Sequence, residues 1–147
     1  MDKGLAVVGT VVVGGLIALQ APINSLLGQR VGTFTAAVVS FTVGTVALVG
    51  IALAFGGGLG GLSEAKGLPW HYLVGGLLGA AYVTTVLLTV RELGAGGVTA
   101  ATIAGQLTMS VVIDRLGVLG LEERPLSVGR LAGVMLLAAG TFLVVRE

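Results

Sequence analysis

Five apolar stretches follow one another along this chain, and each is long enough to cross a bilayer as a helix. A window of about 19 residues places them at residues 4–28, 33–56, 70–93, 95–119 and 128–145. A helix rises about 1.5 Å per residue, so stretches of this length span a hydrocarbon core about 30 Å thick. The pattern therefore predicts an all-α integral membrane protein, with five transmembrane helices in a single domain over residues 1–147.

The composition agrees with a chain whose solvent is lipid. Hydrophobic residues make up 55% of it and charged residues only 10%, whereas an average soluble domain has about 25% charged residues. The net charge is close to zero and there is no basic run, so nucleic acid is not an expected partner. Cysteine is absent and there is one histidine, so we expect no disulfide, no metal centre and no cofactor.

The first stretch has a second interpretation as a signal peptide, with Lys3 as its charged start. It is longer than the apolar core of a typical signal peptide and lacks a clear Ala-x-Ala cleavage site, so we expect a retained helix.

An odd number of helices places the two termini on opposite sides of the membrane. One side then holds five basic residues and the other three, namely Lys3, Lys66, Arg115, Arg124 and Arg130 against Arg30, Arg91 and Arg146. The positive-inside rule places the larger set, and with it the N-terminus, in the cytoplasm. Because the difference is small, insertion in both orientations (dual topology) is a hypothesis that the sequence motivates.

The first predicted helix carries a polar cluster in an otherwise apolar run. Gln20 and Asn24 are one helical turn apart, with Pro22 between them. A proline inside a helix removes one backbone hydrogen bond, here the bond to the carbonyl of Ala18. In lipid a freed carbonyl needs another partner, so this polar, broken stretch is a candidate binding site.

A second polar set lies on the fourth predicted helix, where Gln106, Ser110 and Asp114 follow one another at intervals of four residues. This spacing keeps all three along one face of a helix. Gln106 is near the middle of its helix, and Asp114 is about 12 Å further along, close to a headgroup region. Ser40 on the second helix and Tyr82 on the third complete the candidate substrate-binding residues.

Each of these side chains also has a purely structural interpretation. Gln20, Asn24 and Gln106 can bond across helices, which contributes about 0.6 kcal/mol on average in a membrane. Costly polar groups at membrane depth tend to mark transport pathways, however, so we favour a role in facing the substrate. Asp114 is interpreted first as an interfacial charge pair with Arg115 beside it, and second as a gate or proton acceptor. For Tyr82, a role as a wall of the pocket and a role in helix packing are equally expected.

The centres of the predicted helices contain no Asp, Glu, Lys, Arg or His. Exchange of an organic cation for protons usually needs an embedded carboxylate. Hydrogen-bonding groups alone favour a neutral, zwitterionic or anionic solute, or coupling through Asp114. A selective ion filter would need rings of carbonyls or charges. Because no pair of nucleophile and base is visible, we do not expect an enzyme.

Several sequence motifs, distributed over nearly the whole chain, resemble those of a known family. They are Gln20-Ala-Pro-Ile-Asn24-Ser-Leu-Leu-Gly-Gln-Arg, Ala36-Ala-Val-Val-Ser40-Phe41-Thr-Val-Gly44-Thr45, Pro69-Trp70, Gly75-Gly-Leu-Leu-Gly79, Ala104-Gly-Gln106-Leu-Thr-Met-Ser110-Val-Val-Ile-Asp114, Pro125-Leu-Ser and Arg130-Leu-Ala-Gly133. In this order they resemble the small, five-helix YdcZ-like branch of the drug/metabolite transporter superfamily. The resemblance implies half of a ten-helix fold built as an inverted repeat, an antiparallel dimer, and an exporter-like role. In that family a histidine typically follows the aspartate, whereas Arg115 follows Asp114 here, which puts a proton relay at this position in doubt.

The sequence therefore predicts a multi-pass protein of the inner membrane that exports a small organic solute as a secondary transporter. An antiparallel homodimer would bring two copies of the first and fourth helices to a shared central site, with alternating access. Two alternatives stay open at this point, a small dual-topology channel and a membrane subunit that transports nothing.

Overall fold

The computed structural model describes residues 2–146, and every regular element within them is helical. The elements are α1 (Lys3–Val31), α2 (Thr33–Phe55), α3 (Gly61–Ala65), a 3₁₀ turn (Trp70–Leu73), α4 (Val74–Leu116) and α5 (Val128–Val145). By length and composition, four continuous helical segments could cross a membrane, namely Lys3–Val31, Thr33–Phe55, Trp70–Leu116 and Val128–Val145. The prediction of an all-α membrane protein is confirmed.

The fifth span comes from a break inside α4. This helix covers 43 residues, which as a straight helix would be about 64 Å long, twice the thickness of a hydrocarbon core. Gly94 interrupts it with φ 66° and ψ 168°, a conformation that does not occur in a helix. The residues before and after Gly94 therefore form two arms of α4, residues 74–93 and 95–116, each long enough for one crossing.

Helix α1 extends one residue before and three residues beyond the predicted limits, at Lys3 and Val31, and the other helix ends differ from prediction where local turns intervene. The start of α2 and both ends of α5 agree with the sequence, and α2 ends one residue early, at Phe55. The first arm of α4 begins four residues late, because Trp70–Leu73 forms a 3₁₀ turn. The second arm ends at Leu116 instead of residue 119, because Gly117 takes a φ of 58° and turns the chain.

The described residues divide into two compact units. The first, Leu19–Leu88, contains the later part of α1, all of α2 and most of the first arm of α4, and we call it the α2 unit. The second, residues 2–18 together with residues 89–146, contains the rest of α1, the second arm and α5, and we call it the α5 unit.

Small side chains at the contacts let the helices of the α2 unit approach closely. Ala36 is fully buried in a cluster with Ala37, Val83 and Leu87. A Cβ atom on Gly28 would lie 3.8 Å from the Cβ of Ala36, so α1 and α2 meet almost backbone to backbone. Small residues are what helices in lipid need for such packing, because lipid supplies no hydrophobic force between them.

In the α5 unit, glycines and one hydrogen bond between helices allow the second arm of α4 and α5 to pack closely. A Cβ atom on Gly96 or Gly97 of the second arm would lie 3.9 Å or 3.6 Å from the side chains of Val144 and Val145 on α5. The Thr141 hydroxyl donates to the backbone carbonyl of Ala100 at 3.0 Å. The second arm and α5 therefore form a close pair.

Candidate functional site

The polar cluster of α1 lies on a continuous helix. Pro22 is inside Lys3–Val31, and the helix passes through it without interruption, so the expected break at this proline is wrong. A proline has a helical φ and removes only the one bond to the carbonyl of Ala18, which leaves the rest of the hydrogen-bond ladder to hold the turn together.

The two carboxamides of α1 differ in their surroundings. The buried face of α1 consists of Ala21, Asn24, Ser25 and Gly28. Asn24 is only 7% exposed, whereas Gln20 is exposed. Ser25, 8% exposed, is a buried hydroxyl that directly follows Asn24 and is not among the predicted site residues.

The predicted polar face of the second arm of α4 is present as a continuous stretch of helix. Gln106 and Ser110 are exposed, and Asp114 is half-buried. In lipid an exposed carboxamide in the middle of a helix is costly unless it finds a partner. This face therefore needs a polar group from outside the helix.

The candidate residues differ from several threonines of the same helices in whether their side chains make hydrogen bonds. Thr10, Thr42 and Thr108 each bond back to the carbonyl four residues earlier, at 2.7–2.9 Å. Across residues 2–146, by contrast, five of the candidate side chains make no hydrogen bond within the chain, namely Gln20, Asn24, Ser40, Gln106 and Ser110. The carboxamides do not act as bonds between the helices of one chain, so their donors and acceptors remain available.

Asp114 has an ionic partner, and it is not the one that the sequence suggested. Its Oδ2 lies 3.2 Å from Nη1 of Arg130, and both side chains are about 30% exposed. Adjacent residues on a helix do not face each other, and Arg115 pairs instead with Glu123 in the following loop. The interfacial charge pair of Asp114 is therefore formed with the first turn of α5.

Further bonds fix the connection around this ion pair. The backbone carbonyl of Asp114 accepts a hydrogen bond from the Arg124 amide at 2.7 Å. Ser127 caps α5, because its hydroxyl oxygen accepts from the backbone amide of Arg130 at 3.2 Å. The loop between Leu116 and Val128 is therefore tied to the ends of both helices.

Tyr82 and Ser40 lie in the α2 unit and are both half-buried. Tyr82 packs against the cluster of Ala36, Ala37, Val83 and Leu87, so part of its ring has a packing role. Of the seven candidate residues, Gln20, Asn24, Ser40 and Tyr82 belong to the α2 unit, and Gln106, Ser110 and Asp114 belong to the α5 unit.

An open groove of about 450 Å³ lies on the α5 unit and is almost entirely apolar. The second arm and α5 supply most of its lining, which consists of Ala18, Ala95, Gly96, Thr99, Ala100, Ile103, Leu137, Gly140, Thr141 and Val144. The candidate residues of this unit do not line it. Within residues 2–146, no three His, Asp or Glu side chains are grouped as a metal site would require.

Comparison with known proteins places this arrangement in a family. Residues 5–143 match the family described as "Putative inner membrane exporter, YdcZ". The chain belongs to the YdcZ family. It is also 28% identical over 149 residues to the inner membrane protein YdcZ of Escherichia coli strain K12, which covers 100% of this chain and 99% of that protein. No solved structure matches the chain.

Membership of the YdcZ family agrees with the helices described above. The chain is a multi-pass protein of the inner membrane, and its family is described as one of inner membrane exporters. The polar side chains of α1 and of the second arm of α4 are therefore considered as parts of a transporter.

Proposed function

We propose that this protein exports a small organic solute by alternating access, as an antiparallel homodimer with one shared hydrogen-bonding site. The observation that supports the site is the set of carboxamides, Gln20, Asn24 and Gln106, which make no hydrogen bond within residues 2–146. At membrane depth such groups need a partner from outside the chain, and a polar solute supplies one.

The proposed roles follow from the chemistry of each side chain. Gln20, Asn24, Ser40, Gln106 and Ser110 bind the solute through uncharged donors and acceptors, and Tyr82 forms a wall of the site. The five solute-binding side chains carry no charge, which favours a neutral, zwitterionic or anionic solute. Asp114 acts as a gate or proton acceptor, because its ion pair with Arg130 joins the second arm of α4 to the start of α5.

The dimer is proposed because one chain supplies only five crossings. Transporters with inverted repeats place the solute at the interface between two halves near the middle of the membrane. Two copies of this chain in opposite orientations would reproduce that arrangement, and the five-to-three division of basic residues permits both orientations.

Replacing Gln20 or Gln106 by leucine is expected to lower solute uptake about five- to thirtyfold, because the loss of one or two hydrogen bonds to the solute corresponds to about 1–2 kcal/mol. The measurement is uptake of a panel of neutral, zwitterionic and anionic solutes into liposomes that contain the purified protein. Gln29→Leu is the matched control, because Gln29 is exposed near the end of α1, beside Arg30.

Three outcomes of the uptake measurement would contradict the proposal. If uptake is seen and neither Gln20→Leu nor Gln106→Leu reduces it, the proposed site is wrong. Flux above about a thousand solutes per second per dimer would indicate a channel instead of a carrier. A chain that moves none of the solutes would indicate a subunit without transport activity.

Dual topology predicts that about half of the molecules expose any given loop to the outside. Since the chain has no cysteine, Ser63→Cys would place a single thiol in the exposed helix α3. A membrane-impermeant maleimide applied to intact cells should label about half of the protein, measured by the shift in mass on a gel. Labelling of nearly all or nearly none of it would show one orientation and exclude an antiparallel pair.

A further inference from the structure

An open groove of about 540 Å³ lies on the surface of the α2 unit, and its lining comes from α2 and the first arm of α4. Sites for small molecules are usually about 300–1,000 Å³, so the volume of the groove is within that range. None of the seven candidate residues lines it. We call it the α2 groove.

Two aromatic rings and several small residues shape the α2 groove. Phe34 and Phe41 line it, and Ala37 and Ala80 leave the space open between the helices. Gly79 allows the Phe41 ring to rest against the first arm, because a Cβ atom there would lie only 3.4 Å from the ring. The α2 groove therefore presents aromatic surface to anything that enters it.

The polar groups of the α2 groove are hydroxyls near the middle of the membrane. Thr45 is near the centre of α2, and Thr84 is near the centre of the first arm. Threonine in a helix can bond back to its own backbone, as Thr42 does to the carbonyl of Val38. Within the part of the chain that the structure describes, Thr45 and Thr84 make no hydrogen bond. Two hydroxyl donors are therefore available in an apolar groove.

We propose that the α2 groove is a binding site for uncharged aromatic solutes that carry a hydrogen-bond acceptor such as a carbonyl oxygen. The aromatic part of the solute packs against Phe34 and Phe41, and its acceptor receives a hydrogen bond from Thr45 or Thr84. All the residues that line the groove are uncharged, so a charged solute would lose its hydration without gaining an ionic partner.

The α2 groove and the carboxamide site are independent proposals. Binding in the α2 groove requires neither transport nor a dimer, and its residues belong to one unit of one chain. A failure of the uptake experiment would leave the α2 groove untouched, and a failure of binding there would leave the carboxamide site untouched.

Benzophenone is a suitable probe, because it is uncharged, has two phenyl rings and one carbonyl acceptor, and inserts into nearby C–H bonds on illumination. The protein is reconstituted in phosphatidylcholine vesicles, illuminated with benzophenone and digested, and the labelled residues are mapped by mass spectrometry. Labelling is expected to concentrate on residues 34–46 of α2 and residues 80–84 of the first arm, above the background on the exposed first half of α1.

Matched threonine variants test the role of the hydroxyls. Thr45→Val and Thr84→Val keep the shape of the side chain and remove the donor, and the two together are expected to reduce specific labelling about two- to tenfold, the value of one neutral hydrogen bond. Thr10→Val and Thr108→Val are the controls, because those hydroxyls bond to their own helices and lie on other elements. Ala80→Phe should abolish labelling, because Ala80 is exposed in the groove and a phenyl ring there would fill it.

Competition by other solutes and dilution of the protein in lipid test whether an aromatic solute, lipid or a second copy of the chain occupies the α2 groove. An unlabelled uncharged aromatic ketone, acetophenone, should compete with benzophenone, whereas benzoate and phenyltrimethylammonium should not. Labelling equal to the background on α1, or unaffected by removal of both hydroxyls, would show that only lipid fills the groove and would overturn the proposal. Labelling that appears only when the protein is diluted in lipid would mean that a second copy covers the groove, which would also overturn it.

Discussion

Replacing Gly94 by valine is expected to lower the free energy of unfolding by about 3 kcal/mol, at the upper end of the cost of a strained residue. Gly94 has φ 66° and ψ 168°, a region that is essentially restricted to glycine and especially unfavourable for a β-branched side chain. If valine instead takes a helical conformation, the two arms of α4 join into one helix of 43 residues, which no bilayer of ordinary thickness accommodates. Either result reduces the amount of folded protein.

The measurement for Gly94→Val is the yield of monodisperse protein in detergent, together with an unfolding titration in mixed micelles followed by circular dichroism. Gly105→Ala is the matched control on the second arm of α4, because Gly105 is helical and a Cβ atom there meets nothing within 4 Å. It should leave stability unchanged or raise it by up to about 1 kcal/mol, since alanine is the better helix former. If Gly94→Val were as stable as Gly105→Ala, the break at Gly94 would not be a feature of the fold.

Removing Arg130 is expected to cost about 2 kcal/mol of stability. Both side chains of its ion pair with Asp114 are about 30% exposed. Loss of an exposed ion pair costs about 0–1 kcal/mol of stability, and removal of one partner of a buried pair costs about 3–5 kcal/mol. A half-buried pair is expected to lie between these limits. Arg130→Ala would leave the Asp114 carboxylate without its partner between the ends of two helices. The same unfolding titration measures the effect.

A double-mutant cycle separates the ion pair from other effects of Arg130→Ala. Adding Asp114→Ala should recover part of the lost stability, because the unpaired carboxylate is then removed. Arg115→Ala, which breaks the more exposed pair with Glu123, should cost no more than about 1 kcal/mol. Equal losses for Arg115→Ala and Arg130→Ala would show that burial of the Asp114 pair contributes nothing.

The spans of the fold could be predicted from the sequence because their length and apolarity are local properties. The limits of α5 agree with the prediction at both ends, and the division of α4 falls at Gly94, between the predicted stretches 70–93 and 95–119. The end of the second arm could not be predicted, because it depends on a loop that returns to the helix. The backbone amide of Arg124 bonds to the carbonyl of Asp114, and Gly117 lies against Glu123. Contacts of this kind join residues that no periodicity relates.

The candidate site was predictable only in part, for a similar reason. Spacing along α1 places Gln20 and Asn24 on neighbouring turns, but only packing against other helices decides that Asn24 is buried and Gln20 exposed. The partner of Asp114 is far along the chain, on α5. The threonines illustrate the limit most clearly, because Thr42 bonds to its own helix and Thr45, three residues later, does not. Whether a hydroxyl is available depends on its rotamer and not on its position in a pattern.

The connections between the helices differ greatly in length, and this difference decides where the protein can be engineered. A single residue, Gly32, joins α1 to α2 with a φ of 88°, so an insertion there would rotate α2 and pull Ala36 away from Gly28. The segment from Gly57 to Pro69, by contrast, contains only the short, exposed helix α3. A rigid fusion partner, inserted there to enlarge this 14.6 kDa chain for electron cryomicroscopy, would leave the membrane helices unaltered.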